Sequence, residues 1–285
     1  MTGALVARLA DGRLHLQHGP IDVILGAAGT PAAVAAGERA VAARFTVLLA
    51  ELAAELPALR SPAPVRVHGP VAQAMAAAVA PHAAVFVTPM AAVAGAVADA
   101  LVAAFVAGAA DGAPGGLRHV HANNGGDIAL HLEPGEVLRA AIAARPGLPD
   151  RIRIASEDPV RGIATSGWGG RSLSLGIADA VTVLAGSAAA ADAAATLIAN
   201  AVDLPGHPAV ARRPARDIQA DSDLGDRPVT VGVGPLGPEM RAQALARGLA
   251  VAEGMRARGL IVAAALFLQG DTVATGGASV LPQSG

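Results

Sequence analysis

The stretch Asp179–Val202, DAVTVLAGSAAAADAAATLIANAV, decides the fold class. Ala180 to Ala185 is a short apolar, partly β-branched run closed by Gly186, which predicts a buried strand. Ser187 then stands at the N-cap of a helix of nearly pure alanine. Within that helix Asp192, Thr196 and Asn200 carry the polar side chains, each four residues from the last, so they stack on one face about one turn apart. An apolar helix with one column of oxygens has either a polar partner or a bound ion to satisfy.

Upstream the pattern is of strands: Leu117 to Ala122, Ile128 to Glu133, Glu136 to Ala143, Arg151 to Ala155 and Gly162 to Ser166. Further back, Leu5–Leu9 and Arg13–Gln17 flank Asp11-Gly12 as a hairpin, and Ile21–Leu25 extends it. Thr30-Pro31 caps a helix that runs to about Leu56, with Phe45, Leu48, Leu49, Leu52 and Leu56 inward. Ser61–Pro64 is a connector, and Pro70–Ala80 a weaker helix. Thr88-Pro89 opens a buried helix, Met90–Ala107, with Gly108 at its C′ position; Gly95 inside it points to close approach of a neighbour.

Downstream, 203–226 reads as irregular or partly helical. Val229–Val233 is a strand, Glu239–Arg258 an amphipathic helix and Leu260–Leu268 a last strand, before a frayed tail after Gly276. Helix-rich and strand-rich blocks alternate without regular βαβ spacing, which predicts an α+β fold with a mostly antiparallel sheet packed with helices. The 285 residues fit a single domain, or two intimately packed halves of about 1–116 and 117–285.

Composition excludes several chemistries. There is no cysteine, so disulfides, thiolate catalysis and Cys-ligated zinc are absent. All 21 basic residues are Arg, which removes Schiff-base and P-loop lysine chemistry and leaves His, Asp, Glu or water as bases. One Trp, four Phe and no Tyr, with a net charge of −2 and no basic run, argue against nucleic-acid binding. The N-terminus has no export signal, so a cytoplasmic protein is expected. The apolar segment 83–110 contains Pro89 and Asp99 and is read as a buried helix, with no membrane partner.

Asn123-Asn124-Gly125-Gly126-Asp127 is either a simple hairpin turn or a nest of N–H groups facing a phosphate, with Asp127 on a ligand's polar edge. Thr165-Ser166-Gly167-Trp168-Gly169-Gly170-Arg171 ends a strand in a flexible loop suited to anions, with Arg171 as clamp. It is not a nucleophile elbow. His119 and His121 share a strand face; whether His131 joins them depends on the turn's residue count. A histidine metal hydrolase is one reading of that trio, solvated strand histidines the other. Asp192 and Thr196 are hard oxygen donors that suit Mg²⁺. Equally, the Thr196 hydroxyl can bond back to the Asp192 carbonyl while the carboxylate faces solvent.

Four short segments in order resemble the ApbE-type FAD:protein FMN transferases, and more closely an ApbE-related family of uncharacterised proteins. They are Met90–Gly95 leading to Asp99, Gly125-Gly126-Asp127, Thr165-Ser166-Gly167, and Ala180–Val183 followed by Ala191–Thr196. The resemblance implies an ApbE-like fold, FAD or a related nucleotide held by Asn124–Asp127, Thr165–Gly167 and Arg171, and Mg²⁺ held by Asp192, Thr196 and a backbone carbonyl near Ala91. Two departures stand out. Ala94 replaces the transferases' Lys, and Ser172–Asp179 replaces their H-x-x-D-P-x-T-G segment, leaving Asp179 as the candidate base. The expectation is a flavin- or nucleotide-binding protein with altered flavinyl or phosphoryl transfer. Its alternative is an accessory, non-catalytic protein of sulfur or cofactor metabolism; a protein partner and self-association stay open.

Overall fold

The computed structural model describes residues 3–142 and 150–276, and the fold is α+β. Its strands are β1 (Leu5–Arg8), β2 (Leu14–His18), β3 (Ile21–Gly29), β4 (Leu117–Asn124), β5 (Asp127–Leu132), β6 (Val137–Ile142), β7 (Asp150–Ala155), β8 (Gly162–Ser166), β9 (Ala180–Ala185), β10 (Val210–Pro214), β11 (Pro228–Val233), β12 (Ala263–Leu268) and β13 (Asp271–Thr275). Nine of them form one sheet of order β1-β2-β3-β4-β5-β8-β9-β12-β13, while β6-β7 and β10-β11 are separate two-stranded ribbons. The neighbours β1 to β5, β5 with β8, and β9, β12 and β13 pair antiparallel, as expected.

The chain packs as two compact units. The first comprises Met1–Leu138, Ile154–Ile163 and Gly186–Ala191. Its helices include α1 (Pro31–Ala54), α2 (Leu56–Leu59), α3 (Pro70–Val79) and α4 (Val93–Gly112), the last led by a 3-10 turn, Pro89–Ala92. Thr30 caps α1 as its sequence predicts, its hydroxyl accepting from the Ala33 N–H. Helix α1 closes at Ala54, near the expected Leu56, and Leu56-Pro57 opens the short α2. Fully buried Leu16, Val23, Val120 and Ala122 form the apolar side of the β2–β4 region, and Phe45, Leu48, Val97, Leu101 and Phe105 are among the buried positions of α1 and α4.

The α1–α4 contact is built from small residues. A Cβ on Gly37 would stand 2.5 Å from the Phe105 ring, one on Gly108 2.4 Å from the Ala40 Cβ, and one on Gly112 2.4 Å from the Ala36 Cβ. This corrects the expected end of α4. Gly108 is a contact point, not a C′ residue, and the helix continues to Gly112 because nothing at Gly108 turns the backbone. With its lead-in, α4 is the helix long and apolar enough to cross a membrane among the described residues.

The second unit comprises Arg139–Arg153, Ala164–Ala185 and Asp192–Gly285. Strands β9 and β12 are buried along their whole length. Helix α6 (Pro238–Ala257) packs on β12 and β13, approaching so closely that a Cβ on Gly248 would stand 2.8 Å from a methyl of Leu266 on β12. The segment expected to be irregular holds β10, paired to β11 with a bulge at Ala211/Arg212. The tail after Gly276 lies outside the described residues.

Candidate functional site

Helix α5 (Ala188–Ala201) begins where its sequence places it, with the Ala190 N–H donating to the Ser187 hydroxyl at 3.2 Å. Its other leading N–H groups go to a residue from α4. Asp99 accepts from Ala188 at 3.0 Å and from Ala189 at 2.9 Å, one bond to each carboxylate oxygen. Burial pushes the Asp99 carboxyl above its ordinary range, and the two N–H bonds oppose that shift. Glycines make the approach possible. A Cβ on Gly95 would stand 2.2 Å from the Ala188 carbonyl oxygen, and one on Gly162 2.2 Å from the Ala188 nitrogen. The positive end of α5 is therefore already occupied by an internal anion. Composition marks Asp99 only as a charge in an apolar segment; its four-residue spacing from Gly95, one turn along a helix face, was the available signal.

The 123–127 segment is a two-residue hairpin. Gly125 and Gly126 take φ of +69° and +117°, and Asn124 pairs with Asp127. The Gly126 N–H, one of those a nest would aim at an anion, donates to Asn123 Oδ1 at 2.8 Å. Asn124 is buried and donates from its amide to the Ala94 carbonyl at 3.1 Å, tying the turn to α4. Ala91 is half-buried in the 3-10 lead-in, with its N–H on the Thr88 carbonyl.

The same register settles the histidines. His131 pairs with Val120 and so faces away from His119 and His121. His119 hydrogen-bonds Glu136 at 3.1 Å, and His131 hydrogen-bonds Glu133 at 3.0 Å. The His121 ring lies across Gly26, whose absent Cβ would stand 2.6 Å from it. Among the described residues no three His, Cys, Asp or Glu side chains gather as a metal site, so the histidine trio does not assemble.

In the second unit the loop 165–171 is firmly held. The hydroxyls of Thr165 and Thr182 hydrogen-bond at 2.9 Å, and the Trp168 N–H donates to the Ala178 carbonyl at 3.0 Å. Gly167 is buried, and a Cβ there would stand 2.2 Å from the Asp179 carbonyl oxygen. The two oxygens of Asp179 accept from the Trp168 indole N–H at 3.3 Å and from the Gln269 backbone N–H. The candidate base is thus a brace, with a hydrogen bond on each oxygen. Ser166 is half-buried; Arg171 is exposed and has no ion pair among the described residues.

Asp192 and Thr196 are half-buried on α5. Asn200, third in their column, accepts at its amide oxygen from the Ser174 hydroxyl at 3.3 Å and the Leu175 N–H at 2.9 Å. Arg212 holds the Leu175 carbonyl and the Asp203 carboxylate, and the Thr230 N–H donates to the Ser174 carbonyl. The segment after the 165–171 loop is therefore clamped on three sides, one of them the face that carries Asp192 and Thr196. A carboxylate and a hydroxyl one turn apart suit Mg²⁺, whose remaining positions are filled by water and phosphate.

No curated protein matches the sequence. The family model described as AbpE bacteria matches residues 6–274. This overturns the resemblance to the ApbE flavin transferases, because the matching family is a different one and nothing in the match links it to FAD:protein FMN transfer. Local geometry accounts for several of the shared motifs. The Gly-Gly-Asp turn supplies positive φ, Gly167 supplies close packing, and the Gly95–Asp99 pair holds a helix start. The chain belongs to the AbpE bacteria family.

Proposed function

We propose that the second unit binds a phosphate-bearing nucleotide, flavin nucleotides included, together with Mg²⁺. Asp192 and Thr196 supply oxygens to the ion, and Arg171 supplies the fixed positive charge for the phosphates. The observation that supports this most is the seat of Asn200 on Ser174 and Leu175, which sets the last member of the polar column of α5 against the segment that follows the loop. In that position a cation would neutralise phosphate charge, the condition for transfer at phosphorus. The engagement of both Asp179 oxygens favours a binding or accessory part over proton abstraction by that residue.

Calorimetry with FAD, FMN and ATP, each with and without Mg²⁺, tests the proposal. Metal-dependent binding of at least one is expected, and Asp192→Asn should remove the metal dependence while leaving the melting curve in place. Absence of metal-dependent binding by all three rejects it.

A further inference from the structure

Trp168 is the only Trp in a chain that has no Tyr, and three of the four Phe residues, Phe45, Phe105 and Phe267, are buried. It is half-buried in a loop whose other members are glycine, small polar residues and Arg171. Such a loop would ordinarily leave a large aromatic mobile. Here the main chain is held by the Trp168 N–H on the Ala178 carbonyl and by Gly167 packed on the Asp179 carbonyl, and the ring itself is tied by its indole N–H to the Asp179 carboxylate. Asp179 is itself fixed by the Gln269 N–H. Gln269 is then anchored through its side chain to the Leu236 N–H at 2.9 Å and the Gly234 carbonyl at 2.8 Å.

A partly exposed aromatic whose orientation is braced by a chain of hydrogen bonds gives up little freedom when a flat ring settles on it. Arg171, three residues on, is the exposed cation of the same loop. We infer that Trp168 is the stacking platform for the base of the nucleotide, with Arg171 on its phosphates; this rests on the proposed function and adds the part of the ligand that is recognised. Selection is for a flat heteroaromatic ring of any identity, because stacking reads a π face and not a hydrogen-bond pattern. The ligand class is therefore nucleoside diphosphates and their derivatives in preference to simple polyphosphates.

The test compares ADP with inorganic pyrophosphate, both with Mg²⁺, since the two share a diphosphate and differ by the nucleoside. ADP should bind about tenfold more tightly and quench the emission of the single Trp. In calorimetry Trp168→Ala should collapse the preference for ADP over pyrophosphate, and Trp168→Phe, which keeps a ring and protects the fold, should retain most of it. Equal affinity for the two ligands overturns the stacking role while Mg²⁺-dependent pyrophosphate binding keeps the site; an unchanged ADP preference in Trp168→Ala also overturns it. Failure of both ligands to bind rejects the role, and failure of FAD, FMN and ATP beside them rejects the underlying function as well.

Discussion

Asp99 takes its importance from a partner 89 and 90 residues away. Removing its carboxylate leaves two helix N–H groups without acceptors in a half-buried place, so Asp99→Ala should cost about 2–3 kcal/mol in urea denaturation. Its titration runs in the less familiar direction. The unfolded carboxyl releases its proton near the ordinary 3.8, whereas the buried native group holds on to higher pH. In that window the native state binds more protons, so stability falls as pH rises from 3.8 through the raised value. The stability difference between wild type and the non-titrating Asp99→Asn should shift against wild type over that interval, and a flat difference would contradict the burial argument. None of this is readable locally, because a lone acid in an apolar helix says nothing of which distant backbone it meets. Trp168 and Asp179 are similar: the sequence marks both as polar-loop residues, and only the fold joins the indole to the carboxylate.

At the scale of elements, legibility followed how much of a strand or helix was shaped by burial. Strands β8 and β9 lie on the residues expected of them, β9 being buried along its whole length and β8 over Gly162, Ile163 and Ala164. Strand β10 was hidden: VARRP in a two-stranded ribbon is mostly exposed or half-exposed and shows no apolar alternation. Strand β13 was missed because its turn is Gln269-Gly270, with Gln269 at φ +46°, a residue type that does not announce a hairpin. Gly95, by contrast, was correctly legible as a contact. Gly95→Ala should destabilise by about 3 kcal/mol, since the obstacle is a main-chain carbonyl that cannot step aside. Gly254→Ala, in the exposed part of α6 with nothing within 4 Å of the added methyl, should instead stabilise by about 0.5–1 kcal/mol. Thermal denaturation of the two variants side by side checks the contrast.

For the whole molecule, class was accessible and partition was not. Alternating helix-rich and strand-rich blocks sufficed for α+β with an antiparallel sheet. The first unit, however, recruits 154–163 and 186–191 from far along the chain, through contacts such as Gly162 on Ser187 and Ala188 that no composition boundary marks. The acid response of the molecule should carry the mark of one residue on that first unit. Burial foremost, then the charges of His119 and Arg13, hold the His121 imidazole below its ordinary 6.5. The unfolded chain takes up this proton first, so stability is intact above 6.5 and is lost as pH falls towards the depressed native value. His121→Gln should flatten the stability profile below 6.5 relative to wild type; an identical slope would mean that the ring is solvated in solution.

The carboxylate at the head of α5 is tethered by its own helix. Dissolved salt shields free ions and surface pairs such as Arg13–Asp11, but it cannot dilute a counter-charge that is covalently delivered and sheltered from water. Concentrated brine and distilled buffer should therefore find this junction equally closed, and any phosphate arriving from outside must look to a guanidinium or a metal, because that helix start has no vacancy to offer.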